Sequence, residues 1–360
     1  MHELTLDMRS RIDVHLASFS QRLRNTSACD HRSCSLWWKD QERVWRRQVE
    51  HAERVRLLMH ALDTGKFMPE IRQPIFKGFR PAMWRTFEAA PLAFSTQPLT
   101  AFTPEYSCAA TAWRVDAGDD ATALRKSGGD STGTGVAVDD GHKYLCGRHI
   151  ASPCTMLSVG SNFQDGFERA LSAAAKCRAY VVDPTLGAES STAVIAFAKR
   201  LESYGARLNA SVGLGASGTE LRVGSGPTGA RRPLLALGHV LKGASWLGCD
   251  GPRCHLSVMK LDCEGCEFEA LTNPSWGAWA LCESGYLTID ELVVEVHAAK
   301  RAASLADLHA VFAGALACGL MLHQKEVNWA GCKRGNCAEF SWVNVRHAAR
   351  IARRGATGAK

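Results

Sequence analysis

From "TMLSVGS" (155–161) onward, short runs, most of them continuously apolar, alternate with stretches of helical periodicity. The runs continue with "AYVVDP" (179–184), "ARLNASVGLG" (206–215), "HLSVMKLD" (255–262) and "ELVVEVH" (291–297), and "LMLHQKEVN" and "AEFSWVNVR" close the series. A strand with one face in water alternates apolar and polar residues. Runs without that alternation are buried on both faces, which requires a largely parallel sheet covered by helices on each side. The fold class is therefore α/β.

Between the runs, Phe163, Phe167, Leu171 and Ala174 mark one helical face. A second comprises Val194, Phe197, Leu201 and Tyr204, with Gly205 as its stop. "PLLALGHVLKGA" reads as a short helix. "SLADLHAVFAGALACG" reads as a longer one, with Ser304 as N-cap and Gly319 past its end. The segment "GASGTELRVGSGPTGARRP" (215–233) is too polar and glycine-rich for a core, and a loop is expected there.

Upstream, Trp45, Val49, Ala52, Val55, Met59 and Leu62 recur at steps of three and four, so a helix is expected there within a helical or irregular extension over 1–115. Residues 116–141 are rich in Gly, Asp, Ser and Thr and read as a linker. The sheet domain then covers 142–346, and 347–360 form a basic tail.

The 46% of apolar residues suffices for a core, and the formal charge of +7 is too mild to signal nucleic-acid binding. No stretch reaches the ~18 apolar residues of a membrane helix, so the chain as written reads as soluble and cytoplasmic. Its fourteen cysteines and the sequons at Asn25 and Asn209 would suit a secretory lumen if a leader or anchor were missing. Cys263-x-x-Cys266 is half a zinc or redox motif without a second half, so no metal is expected. Cys249/Cys254 and Cys332/Cys337 have the spacing of local disulfides.

In a doubly wound sheet, ligands bind beyond the carboxyl ends of the strands, where strand order reverses. The first such end carries Ser158, Gly160 and Asn162, and the second carries Asp183. A turn glycine lets backbone approach a ligand, and an acid ending the next strand accepts ribose hydroxyls. Their separation of 23 residues is near the usual ~20. The turn lacks the full G-x-G-x-x-G of a dinucleotide site, which favours S-adenosylmethionine over NAD. The alternative is that Gly160 makes a tight turn and Asp183 caps a helix.

Asp262 and Glu264 follow the fourth strand, where a carboxylate could hold the cofactor, orient an acceptor or take a proton. Glu267 and Glu269 read as first-turn acids favoured by the helix dipole. His297 ends the fifth strand with Glu295 on the same face, and is a second candidate base. The candidate residues are thus Asp262 and His297 for catalysis, and Ser158, Gly160, Asn162, Asp183 and Glu264 for the cofactor.

The blocks "KYLCG" (143–147), "CTMLSVGSNFQDGFERAL", "CRAYVVDPT", "VMKLDCEGCEFEAL", "IDELVVEVH" and "CAEFSWVNV" resemble, in order and spacing, the methyltransferase-like 24 proteins, relatives of the FkbM-type methyltransferases. The resemblance covers about residues 140–346. It implies a seven-stranded Rossmann-like methyltransferase sheet with its last strand antiparallel, and S-adenosylmethionine as cofactor. It also implies O-methylation of a small-molecule or glycan hydroxyl. Alternatives from other classes are a non-catalytic binding module of the same fold and an NAD-linked oxidoreductase.

Overall fold

The structure is a computed structural model that describes residues 113–115, 143–146, 150, 153–187, 191–223, 230–297, 305–327, 337–344 and 347. The helix expected around Trp45–Leu62, the linker at 116–141 and the tail beyond His347 lie outside the described residues.

The chain begins with β1 (Trp113–Val115), β2 (Lys143–Leu145), β3 (Thr155–Val159), α1 (Gly166–Ala175), β4 (Arg178–Val182) and α2 (Thr192–Glu202). Next come β5 (Ala206–Asn209), β6 (Gly213–Leu214), β7 (Glu220–Val223), β8 (Ala230–Leu235) and α3 (Leu237–Gly243). β9 (Cys254–Leu261), α4 (Cys266–Thr272), α5 (Ala278–Glu283) and β10 (Leu287–His297) follow. The last elements are α6 (Leu305–Ala317), β11 (Leu320–Val327) and β12 (Cys337–Asn344).

Seven strands form one sheet in the order β11-β12-β10-β9-β3-β4-β5. The ladders from β5 through β10 are parallel, and β12 is antiparallel to both neighbours. This is the expected Rossmann-like sheet with its last strand antiparallel. The chain winds outward from β3 to β5, then crosses back to β9, so strand order reverses between β3 and β9.

All five residues of β3 and all eight of β12 are buried, the polar Glu339, Ser341 and Asn344 included, as strands covered on both faces require. One core joins Met259, Leu261, Val294 and Phe340 to Leu241, Phe268 and Phe312 on the helices of one face. The other joins Met156, Val181 and Val293 to Phe167, Leu171 and Phe197 of α1 and α2. Val115 belongs to this second core, and β1 pairs antiparallel with β2. Residues 113–115, expected to belong to a helical or irregular extension, thus form a strand that packs on the sheet domain. Phe312 meets Phe340 edge-on at 4.9 Å and 84°. Phe340→Ala should therefore cost about 3–5 kcal/mol in urea unfolding; a loss below about 1 kcal/mol would mean that α6 is not packed on this edge.

Three local expectations change. The α1 face is Phe167, Leu171 and Ala175, whereas Phe163 lies in the preceding turn and Ala174 points outward. Asn162 and Phe163 have φ of 45° and 63°, which keeps the helix from starting earlier. The run 206–215 splits, because Asn209 Oδ1 accepts from the Ser211 N–H at 3.0 Å and turns the chain out of the main sheet. The Asn209 amide also donates to Tyr180 Oη at 2.7 Å, so this sequon side chain is engaged internally.

The expected loop at 215–233 contains β7 and the first part of β8, which pair antiparallel. Neither strand has a buried residue, so the hairpin satisfies its backbone by pairing without a core, and its apolar pattern is too short to reveal it.

Disulfides join Cys154 to Cys177, Cys249 to Cys254 and Cys263 to Cys266, and Cys146 and Cys337 are also disulfide-bonded. The Cys263-x-x-Cys266 segment is therefore a closed loop rather than half a metal site.

Candidate functional site

The turn after β3 is held from three sides. Gly160 has φ +78°, its N–H donates to Val182 O, and the Lys260 ammonium donates to its carbonyl at 2.6 Å. A Cβ on Gly160 would fall 1.7 Å from the carbonyl oxygen of Asp262. The glycine is thus required by the close approach of two strand ends.

Ser161 N–H and Asn162 N–H both donate to Asp183 Oδ2 at 2.8 Å, and Ser161 Oγ lies 3.1 Å from the same oxygen. Asp183 Oδ1 accepts from Thr185 N–H at 2.9 Å and Thr185 Oγ1 at 2.5 Å. The turn's amides form an anion-binding nest, and Asp183 fills it. Burial pushes the Asp183 carboxyl up, but the hydrogen bonds from Thr185, Ser161 and Asn162 outweigh it and hold it below the usual range. Ser158 lies beneath the turn: it is fully buried and its hydroxyl donates to Glu168.

The second half of the site lies across the switch point. Glu264 and Gly265 have φ of 59° and 115°, and with the Cys263–Cys266 disulfide they fold the start of α4 back over the end of β10. That fold buries Glu267 completely. Glu267 Oε1 accepts from the His297 backbone N–H at 2.7 Å and lies 3.3 Å from His297 Nδ1, while Oε2 accepts from Gly265 N–H. Glu267, expected to serve only the helix dipole, instead orients the His297 ring.

His297 Nε2 lies 3.7 Å from Glu295 Oε2 and 4.0 Å from Glu264 Oε1. Burial would lower its pKa, but Glu267 above all and then Glu295 raise it to about 9. Glu264, with a side chain 63% exposed, stands at the rim beside His297.

Asp262 bridges the two halves. Its backbone N–H donates to Val159 O, and its carboxylate lies 3.4 Å from Lys143 Nζ. Burial raises its pKa, but Lys143 and then Lys260 bring it down to about 2. Lys143 also donates to Glu339 Oε1 at 2.5 Å. Burial works against its charge, yet Glu339 and Asp262 hold the ammonium well above its ordinary pKa. Glu295 and Glu339 stand directly opposite each other on β10 and β12. Burial, then the neighbouring Glu339 and Asp262 charges, push Glu295 to about 8; Glu339 rises to about 7, chiefly through burial.

The structure thus gathers Gly160, Asn162 and Asp183 in one turn, with Asp262 against it, and sets His297 and Glu264 on the adjoining loop. Ser158 is the candidate whose polar atom faces away from the opening. Sequence reasoning missed Glu267, Lys143 and Glu339. Glu339 had a legible signal, since it is a charged residue inside a mostly apolar strand, and such charges are buried only when paired; Lys143, at the start of the short β2, had none.

A seven-stranded sheet in this order, with an antiparallel last strand and the turn and acids at its switch point, defines a methyltransferase-type fold. No protein-family model matches the chain, and no curated protein sequence does. Among solved structures, the chain is similar to the fibrillarin pre-rRNA processing protein of Methanococcus jannaschii, with TM-score 0.30 and 10% identity over 53% of this chain and 66% of that one. It is similar to the N-methyltransferase NodS of Bradyrhizobium japonicum WM9 (0.29, 12%, over 53% and 85%) and to the antibiotic-resistance methyltransferase Kmr (0.28, 14%, over 53% and 87%). The class assignment rests on the sheet order itself.

Proposed function

We propose that the chain is an S-adenosylmethionine-dependent methyltransferase acting on a hydroxyl of a small molecule or glycan. The observation that carries this reading is the meeting, at the switch point, of the Gly160–Asn162 turn held by Asp183 with the strand-end groups Asp262 and His297. The sequence resemblance to the methyltransferase-like 24 proteins agrees with it.

The residues fit the cofactor. Asp183 accepts from three backbone N–H groups and two hydroxyls. The hydroxyls of Ser161 and Thr185 can rotate away and yield lone pairs to a ribose diol, while the N–H groups keep the carboxylate aimed. Bound there, S-adenosylmethionine supplies an electrophilic methyl group on a sulfonium. Asp262, ionised and facing the opening, orients the acceptor hydroxyl. His297 Nε2 takes the hydroxyl proton, with Glu267 fixing the ring through Nδ1. The neutral imidazole is the reactive form. Most of the rate gain is orientation of the acceptor oxygen in line with the methyl group. The disulfides support an oxidising compartment such as a secretory lumen.

One observation favours the non-catalytic alternative, namely that the Asp183 carboxylate is already fully used. Titration calorimetry of the full chain with S-adenosylhomocysteine, with NAD as control, decides between them. One-site binding of the homocysteine adduct and no NAD binding is expected, and silence with both would leave a ligand-free module. With an acceptor found by screening, His297→Gln should lower kcat about 100-fold while leaving adduct affinity unchanged. Equal turnover would remove His297 from the mechanism.

A further inference from the structure

We propose that Asp262, Glu295 and Glu339 bind a hard divalent cation, of the magnesium, manganese or calcium class, at the carboxyl end of β9 and β10. Sequence spacing does not reveal such a site, because its ligands follow or lie on three different strands. The three carboxylates bring one oxygen each to within 4.8 Å of one another, an all-oxygen donor set of the kind these ions select. A second group, Glu295, His297 and Cys337, meets the same distance criterion, but the Cys337 sulfur is committed to a disulfide.

The charge balance points to the same ligand. Glu295 and Glu339 face each other across the β10–β12 ladder and are 3% and 2% exposed. Like charges directly opposite in a sheet repel, and burial deprives them of water. Lys143 supplies one positive charge, at 2.5 Å from Glu339 and 3.4 Å from Asp262. The other nearby cations are shared with other acids: His297 lies 3.3 Å from Glu267 and 3.7 Å from Glu295, and Lys260 lies 3.8 Å from Glu168. A divalent ion among the three oxygens would turn that mutual repulsion into shared attraction.

An independent observation shows that the set is incomplete. Glu339 Oε1 is taken by Lys143, but Glu339 Oε2 is buried and has no hydrogen-bond partner. A buried carboxylate oxygen without a donor is costly, and a metal ion is one of the few groups that satisfy it without adding a side chain. Access runs past Asp262, whose side chain is 18% exposed. Three protein oxygens leave coordination positions open toward that side, where two neighbouring hydroxyls of an acceptor would fit. This last point rests on the methyltransferase reading, whereas the cation site does not.

The test is a titration of the full chain with manganese(II), followed by loss of the free-ion electron paramagnetic resonance signal, with magnesium and calcium as competitors and no cofactor present. One site per chain is expected. Glu339→Gln should weaken it at least about tenfold, the loss already typical of outer-shell partners. Lys143→Met, which removes the competing ammonium and keeps the three carboxylates, should tighten it instead. Opposite shifts in two folded variants, checked by circular dichroism, separate a site from general damage. No binding by the wild type at millimolar manganese, or equal binding by wild type and Glu339→Gln, would overturn the proposal. Adduct calorimetry is read separately, so either idea can fail without the other.

Discussion

Gly160→Ala should destabilise the protein by about 3–5 kcal/mol, several times the cost of a glycine replacement in open space. Two costs add. At φ +78° an alanine carries the left-handed penalty of about 1–2 kcal/mol. Its methyl group would also sit 1.7 Å from the Asp262 carbonyl oxygen, which is backbone and cannot swing aside. Asp262 N–H is bonded to Val159 O and the Gly160 carbonyl to Lys260, so relief would have to part β3 from β9 at the switch point.

Gly205→Ala is the control, because Gly205 has φ +87° but nothing within 4 Å of the added carbon. It should cost about 1 kcal/mol. Urea unfolding of both variants measures the difference. If Gly160→Ala costs no more than Gly205→Ala, the close packing of the two strand ends is not what fixes this turn.

Asp183→Ala is the second large effect, expected at about 3–5 kcal/mol together with loss of adduct binding. The substitution leaves the N–H groups of Ser161, Asn162 and Thr185 without their acceptor, at a residue only 2% exposed. Asp183→Asn keeps one carbonyl oxygen but turns an NH2 group toward remaining donors, and should fall between wild type and alanine. The pH dependence has a definite sign. Hydrogen bonding depresses the folded pKa of Asp183, so its contribution is complete above the unfolded value of about 3.9 and is lost as pH falls below it. The stability gap between wild type and Asp183→Asn should therefore narrow below about pH 4. A gap constant from pH 7 to pH 3 would show that the carboxylate charge does not hold the turn.

Much of the sheet was legible in the sequence, because burial on both faces leaves a local mark. "TMLSV", "YVV" and "LVVEV" are mostly apolar without alternation, and each became a strand with a parallel neighbour. The strand ends were legible for the same reason: Gly160, Asp183, Asp262 and His297 are the residues at which those runs stop. The β7–β8 hairpin was not legible, since its strands are short and bury no continuous apolar face.

The partners of the site residues were illegible for a different reason. Glu267 and His297 are 30 residues apart, and Lys143 and Glu339 are 196 apart. No local pattern links them. They meet because the crossover from β5 to β9 and the antiparallel return of β12 bring those strand ends together.

The sequence by itself determined most strands of the main sheet, the helices between them, and which polar residues stand at the strand ends, because hydrophobic periodicity is a property of neighbours in the chain. Only the tertiary structure decided that Asp183 holds the Gly160 turn, that Glu267 aims His297, and that Glu295 faces Glu339 with Lys143 donating to the latter. Those relations depend on strand order and on burial, which sets the strength of each charge by the partners that remain within reach.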